Sequence, residues 1–195
     1  TMGRVEPASH GATIDDLLAV AEEKPYYELL GGVLEQKTAP LFRHGRLQRI
    51  LGAQLGKHFG DEAEPGEPGG WWIGSEVHVQ LAPDVVVVPD CVGWRMERVP
   101  ELPDAFPVTI RPDWICEILS PSNPARDTIR KLRLYHEAKI PHYWIADPER
   151  QQLSVFRWQP EAYLLVLNTQ PPEIVRPEPF DAVEFPVAAL LGVRQ

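Results

Sequence analysis

The order of predicted elements points to an α/β or α+β fold built on a mixed central sheet. Three observations carry that reading. Short apolar or alternating runs, the pattern of strands, recur from residue 26 to the C-terminal part of the chain. Helical spacing occurs in only a few places, and one of them lies between two strand-like runs, as a crossover helix does. No internal repeat is visible, so the chain reads as one continuous series. Its 195 residues suit a single domain, taken as 13–195 behind a tail at 1–12. Thr1-Met2-Gly3 is set aside as a ragged start.

Taken in order, Thr13-Ile-Asp-Asp16 resembles a capping box and predicts a short helix over 14–22. Tyr26 to Leu30, Gly31-Gly32, and Val33 to Lys37 predict a hairpin with a glycine turn. From Leu41 to Phe59 the apolar Leu47, Ile50, Leu51 and Leu55 recur at helical spacing. Arg43, His44, Arg46, Arg49 and Lys57 are assigned to the opposite face. The acidic, Pro/Gly-rich stretch 61–70 is expected to be disordered.

Trp71 to Leu81 alternates as one strand should, with Glu76 on it. Asp84 to Asp90 holds four consecutive valines, which suits a strand buried on both faces. Residues 95–112 read as irregular, and Trp114 to Leu119 as another apolar strand. Residues 121–139 form a helix and its approach, with Asn123 as N-cap and Pro124 at the first position. Strands follow at His142–Asp147, Leu153–Trp158 and Ala162–Asn168, and Phe180–Leu191 closes the chain with a short helix.

Composition narrows the function classes. The net charge of −9 argues against a protein that coats nucleic acid through many phosphate contacts, yet leaves room for a basic surface beside an acidic site. No run is apolar for long enough to span a bilayer. Two cysteines, Cys91 and Cys116, are too few for a disulfide framework or a cysteine-only zinc site, so a reducing cytoplasm is the simplest location.

Two carboxylates stand out. Asp90 ends the valine run and Glu117 interrupts Trp114-Ile-Cys-Glu-Ile-Leu119. A charge within an apolar strand is costly unless it is paired or binds metal. Alternation groups Glu117 with Ile115 and Leu119 on one face, and Cys116 with Ile118 on the other. Converging carboxylates from neighbouring strands form a hard oxygen site suited to Mg²⁺ or Mn²⁺. Asp90 also reads as a strand-end cap, and Glu117 as an edge residue facing water. Lys131 lies on the following helix, four residues after Asp127, where a surface ion pair is the plainer reading. Tyr135 falls one turn further along the same face.

A resemblance joins these residues. Tyr27-Glu28-Leu-Leu-Gly-Gly32, His44, Pro89-Asp90, Pro112-Asp-Trp-Ile-Cys-Glu117-Ile-Leu-Ser-Pro-Ser122, Asp127 to Lys131 and Tyr135, and Tyr143-Trp-Ile-Ala-Asp147-Pro148 together resemble the Uma-type family of putative restriction endonucleases, within the PD-(D/E)XK nuclease superfamily. The resemblance implies a restriction-endonuclease-like fold, a central mixed sheet flanked by helices. It implies metal at Asp90 and Glu117, with Glu76 as a third carboxylate or an exposed strand residue. Leu119 stands where the superfamily pattern has its lysine, and Lys131 is the natural replacement. His44 is a candidate substrate contact or a polar helix-face residue, and Arg130 belongs to a basic face that could meet phosphate. The expected activity is Mg²⁺-dependent hydrolysis of DNA by a cytoplasmic protein, possible as a homodimer. The alternative is a degenerate nuclease fold that binds nucleic acid or protein without cutting.

Overall fold

The computed structural model describes residues 11–21, 26–37, 39–121 and 125–193, without the side chains of residues 21 and 125–127. Asn123 and Pro124 lie outside this set, as do residues 1–10 of the tail and the side chain of Asp127.

Ten of the strands form two sheets. The larger has six, in the order β10-β9-β8-β7-β6-β3. It comprises β3 (Trp71–Gly74), β6 (Cys91–Arg95), β7 (Trp114–Ile118), β8 (His142–Asp147), β9 (Gln152–Arg157) and β10 (Leu164–Thr169). Only β7 and β8 run parallel, and α3 (Ala125–Glu137) makes the crossover between them. The other pairs are antiparallel, so the sheet is mixed as the sequence predicts. The smaller sheet is antiparallel, in the order β2-β1-β5-β4, from β1 (Tyr27–Leu30), β2 (Leu34–Gln36), β4 (Val79–Ala82) and β5 (Val85–Val87).

The valine run explains how the layers stack. Val85 and Val87 join a core with Ile115 and Tyr143 of the large sheet and Tyr135 of α3. Val86, pointing the other way, packs with Leu29 and with Leu17 of α1 (Ile14–Ala21). The strand is therefore buried on both faces, as an uninterrupted apolar run implies. On its opposite face the large sheet packs Trp114, Cys116, Ile118 and Trp144 against Leu47, Leu51, Leu55 and Phe59 of α2 (Phe42–Phe59). The C-terminal segment adds Phe180 and Leu190 to that core. It also contains β11 (Ile174–Val175), β12 (Phe185–Pro186) and α4 (Val187–Leu190).

Four expectations need correction. Trp71 to Leu81 is two strands in two different sheets, because the chain bends after Gly74 and Glu76 takes a left-handed backbone with φ 55. Glu76 is thus on a bend, not a strand. Strand β6 has no counterpart among the predicted strands, with Arg95 placed in the irregular stretch, yet it lies between β3 and β7 inside the large sheet. His44 shares the buried stripe of α2 with Leu47, Leu51 and Leu55, where three- and four-residue spacing puts it. The 61–70 loop is ordered: Glu64 N and Gly69 N donate to Lys57 O and His58 O, and His58 Nδ1 lies 2.7 Å from Glu67 Oε2.

Candidate active site

Asp90 occupies the passage from one sheet to the other, three residues beyond β5 and one before β6. The antiparallel register pairs Cys91 with Cys116, Val92 with Ile115 and Gly93 with Trp114. Continued by one residue, it sets Asp90 beside Glu117. A further contact fixes this: the backbone N–H of Ile118 donates to Asp90 Oδ2 at 2.6 Å. Glu117 turns to the α3 face, where Lys131 and Tyr135 reach it, while Asp90 meets Lys37 and His44.

Asp90 is 1% exposed and densely partnered. Lys37, just past β2, donates to Oδ1 at 2.6 Å and to Val88 O at 2.8 Å. His44 Nε2 lies 3.2 Å from the same Oδ1. Gln48, one turn along α2, donates to the Asp90 carbonyl at 2.8 Å. Burial by itself would raise the Asp90 pKa, but the His44 hydrogen bond and the Lys37 charge overcome it, and the carboxyl sits well below its ordinary range. Lys37 is also held charged: burial works against its ammonium, and Asp90 and Glu117 prevail.

Glu117 has a different environment. Tyr135 donates to its Oε1 at 2.5 Å, and Lys131 Nζ lies 3.1 Å from the same oxygen. Lys131 is shared, because Glu28 Oε1 is also 3.1 Å away. Glu28, on β1, accepts the N–H of Val88 through that oxygen at 2.8 Å. Burial raises the Glu117 pKa, Lys131 opposes the shift, Asp90 adds to it, and the carboxyl is pushed up to about 7. Burial also pushes the Tyr135 hydroxyl far above its ordinary value, so it remains a donor.

Asp90, Glu117 and Lys131, singled out from sequence, therefore meet in one buried cluster. Arg130 instead turns to the hairpin, pairing with Glu35 and donating to Leu30 O at 2.6 Å. Glu76 lines an open cavity beside Lys37 and His44. Among the described residues no three His, Cys, Asp or Glu side chains are grouped to hold a metal ion.

Two members of the cluster were missed as site residues. Glu28 carries the same signal as Glu117, a carboxylate inside an apolar strand, and enters the sequence reading only through the resemblance. Lys37 ends a hairpin and gives no such signal.

The donor set suits a hard divalent cation. Two hard carboxylates stand side by side, Asp90 one residue before β6 and Glu117 on β7. Magnesium is commonly held by one or two carboxylates, with water and substrate phosphate completing the shell, so a third protein carboxylate is not required.

A mixed sheet with a crossover helix that delivers a lysine to paired acids has the architecture of a nuclease fold. A crystal structure described as a putative nuclease belonging to DUF820, from Anabaena variabilis, matches with a TM-score of 0.68 at 21% identity, covering 92% of this chain and 97% of that one. That likeness establishes the fold. Residues 14–188 match the Uma2 family, described as putative restriction endonuclease, and the chain belongs to that family. No curated protein matches it.

Proposed function

We propose that this protein is a metal-dependent endonuclease that hydrolyses phosphodiester bonds in DNA, with Asp90 and Glu117 holding Mg²⁺ or Mn²⁺. The observation that carries this reading is the convergence of Asp90, Glu117 and Lys131, from three separate segments, in one buried cluster. When bound, the metal would activate water and offset charge on the phosphate. Glu117 is oriented by Lys131 and Tyr135, which both hold its Oε1. Asp90 is oriented by the Ile118 N–H. Lys131 is the cation that would steady the attacking water beside Glu117. In the reaction the water oxygen bonds to phosphorus and one P–O ester bond breaks. The proton lost by water ends on the released hydroxyl.

The test is cleavage of supercoiled plasmid and of single-stranded DNA with Mg²⁺ or Mn²⁺. Nicking that stops with EDTA and disappears in Asp90→Asn and Glu117→Gln is expected. Cleavage that persists in both variants overturns the assignment.

A second reading, a non-cutting module that binds nucleic acid or protein, draws on a specific observation. Lys37 and Lys131 both bond internal carboxylates, and Leu119 stands at the usual lysine position. DNA binding without any calorimetric heat of Mg²⁺ or Mn²⁺ binding up to about millimolar concentration would favour it.

A further inference from the structure

The two lysines of the cluster differ in what they face. Lys131 lies at 7% side-chain exposure between Glu28 and Glu117. Lys37 is at 16%, and it forms part of the wall of an open cavity of about 500 Å³. The same wall includes Tyr26, Gln36, Pro40, His44 and Glu76. Asp90 is the link between cavity and cluster, because Lys37 and His44 both contact its Oδ1 from the cavity side. His44 also lines a second cavity, of about 460 Å³, with Phe42, Arg43 and Ser120.

We propose that Lys37 is a second catalytic lysine: its ammonium meets an oxygen of the scissile phosphate in this cavity, on the Asp90 side of the carboxylate pair. The inference rests on the nuclease reading above and assigns a residue that no part of the nuclease pattern marks. Among the described residues the Lys37 ammonium makes two hydrogen bonds, to Val88 O and Asp90 Oδ1. An ammonium has three N–H donors, and the third is the one offered to the phosphate. The Val88 carbonyl anchors the side chain, so the charge is already in place before substrate arrives, which is the condition for stabilising charge that develops in the transition state. Glu76 is the acid on the same cavity wall. The two lysines thus divide the work, Lys131 on Glu117 and Lys37 on the substrate.

The experiment uses chemical rescue. Both native cysteines are fully buried, and burial pushes the Cys91 thiol up to about 12, so a cysteine placed at 37 is the thiol open to alkylation. Plasmid cleavage at saturating Mg²⁺ is measured for wild type, Lys37→Met, Lys37→Cys, and Lys37→Cys alkylated with 2-bromoethylamine, which rebuilds an ammonium at lysine length. Lys37→Met should lose about 10²-fold, the scale of removing one preorganised donor, in kcat with KM little changed. Alkylation should restore at least about tenfold over the unmodified cysteine variant. Circular dichroism of the cysteine variant, unchanged on alkylation, ties the recovery to the ammonium and not to refolding. Wild-type rates in Lys37→Met, or no recovery on alkylation, overturns the proposal while leaving the nuclease reading intact. A wild-type protein that fails to cut with either metal removes both.

Discussion

Asp90 and Glu117 are buried neighbours at the β6–β7 pairing, and yet their proton affinities move in opposite directions. The difference lies in the donors. Asp90 receives a backbone N–H, an ammonium of its own and an imidazole. Glu117 has a tyrosine hydroxyl and an ammonium that it shares with Glu28. Burial penalises both carboxylates, and the number of dedicated donors decides which one stays ionised. One carboxylate is thus fixed as an anion, while the other sits near the point where it can take or lose a proton.

The largest test of this contrast is removal of Asp90. Asp90→Ala leaves Lys37 and His44 facing each other without their anion, and should cost about 3–5 kcal/mol of stability as well as activity. Urea unfolding with EDTA present reads this cost. Glu117→Gln should separate the two effects. The amide can still accept from Tyr135, and Lys131 keeps Glu28, so stability should fall by only about 1 kcal/mol. With Glu117 holding the metal as proposed, plasmid cleavage should nevertheless disappear. Equal stability losses in the two variants would erase the distinction.

The pH dependence of the metal-free protein sharpens it further. Glu117 has a folded pKa raised from 4.5 to about 7, so the folded state binds its proton more tightly than the unfolded chain does. Its contribution is fully present below about pH 4.5 and is lost as pH rises toward 7. Asp90, depressed from 3.8, contributes stability that is present above that value and lost as pH falls through its folded pKa. His142, pushed down to about 4 chiefly by burial, slopes against Glu117 over an overlapping range. The wild-type minus Glu117→Gln difference in unfolding free energy isolates the Glu117 component. It should decline between about pH 4.5 and 7, and a flat difference would refute the shift. The smallest effect belongs to Arg130→Ala at the half-exposed edge of the hairpin, where loss of the Glu35 pair and the Leu30 bond should cost no more than about 1 kcal/mol in the same unfolding measurement.

Much of the fold was legible because its signals are local. Four valines specify a strand buried on both faces, and the leucines of α2 specify one buried stripe. The break at Gly74–Glu76 was hidden because apolar alternation continues through it into another sheet. Strand β6 was hidden because Cys91-Val-Gly-Trp-Arg95 follows an aspartate that reads as an ending. At the site, Asp90 and Glu117 were legible through the cost of placing a charge among apolar neighbours. Lys37 was not, since its role comes from a contact 53 residues away, made by a flexible side chain on an ordinary hairpin. His44 lay within reach of a stricter helical projection.

The cluster also stitches the molecule together. Glu28 ties β1 to the Val88 backbone and to α3, Lys37 ties the hairpin to the passage between sheets, and Asp90 ties that passage to β7. The same side chains that would do chemistry thus clasp two sheets and a helix. A descendant of this chain that stopped cutting would still be under selection to keep Glu28 and Asp90 simply in order to fold. In such a lineage the acidic signature would outlive the reaction, and Lys37, whose neighbours include open solvent, would be the first member free to drift.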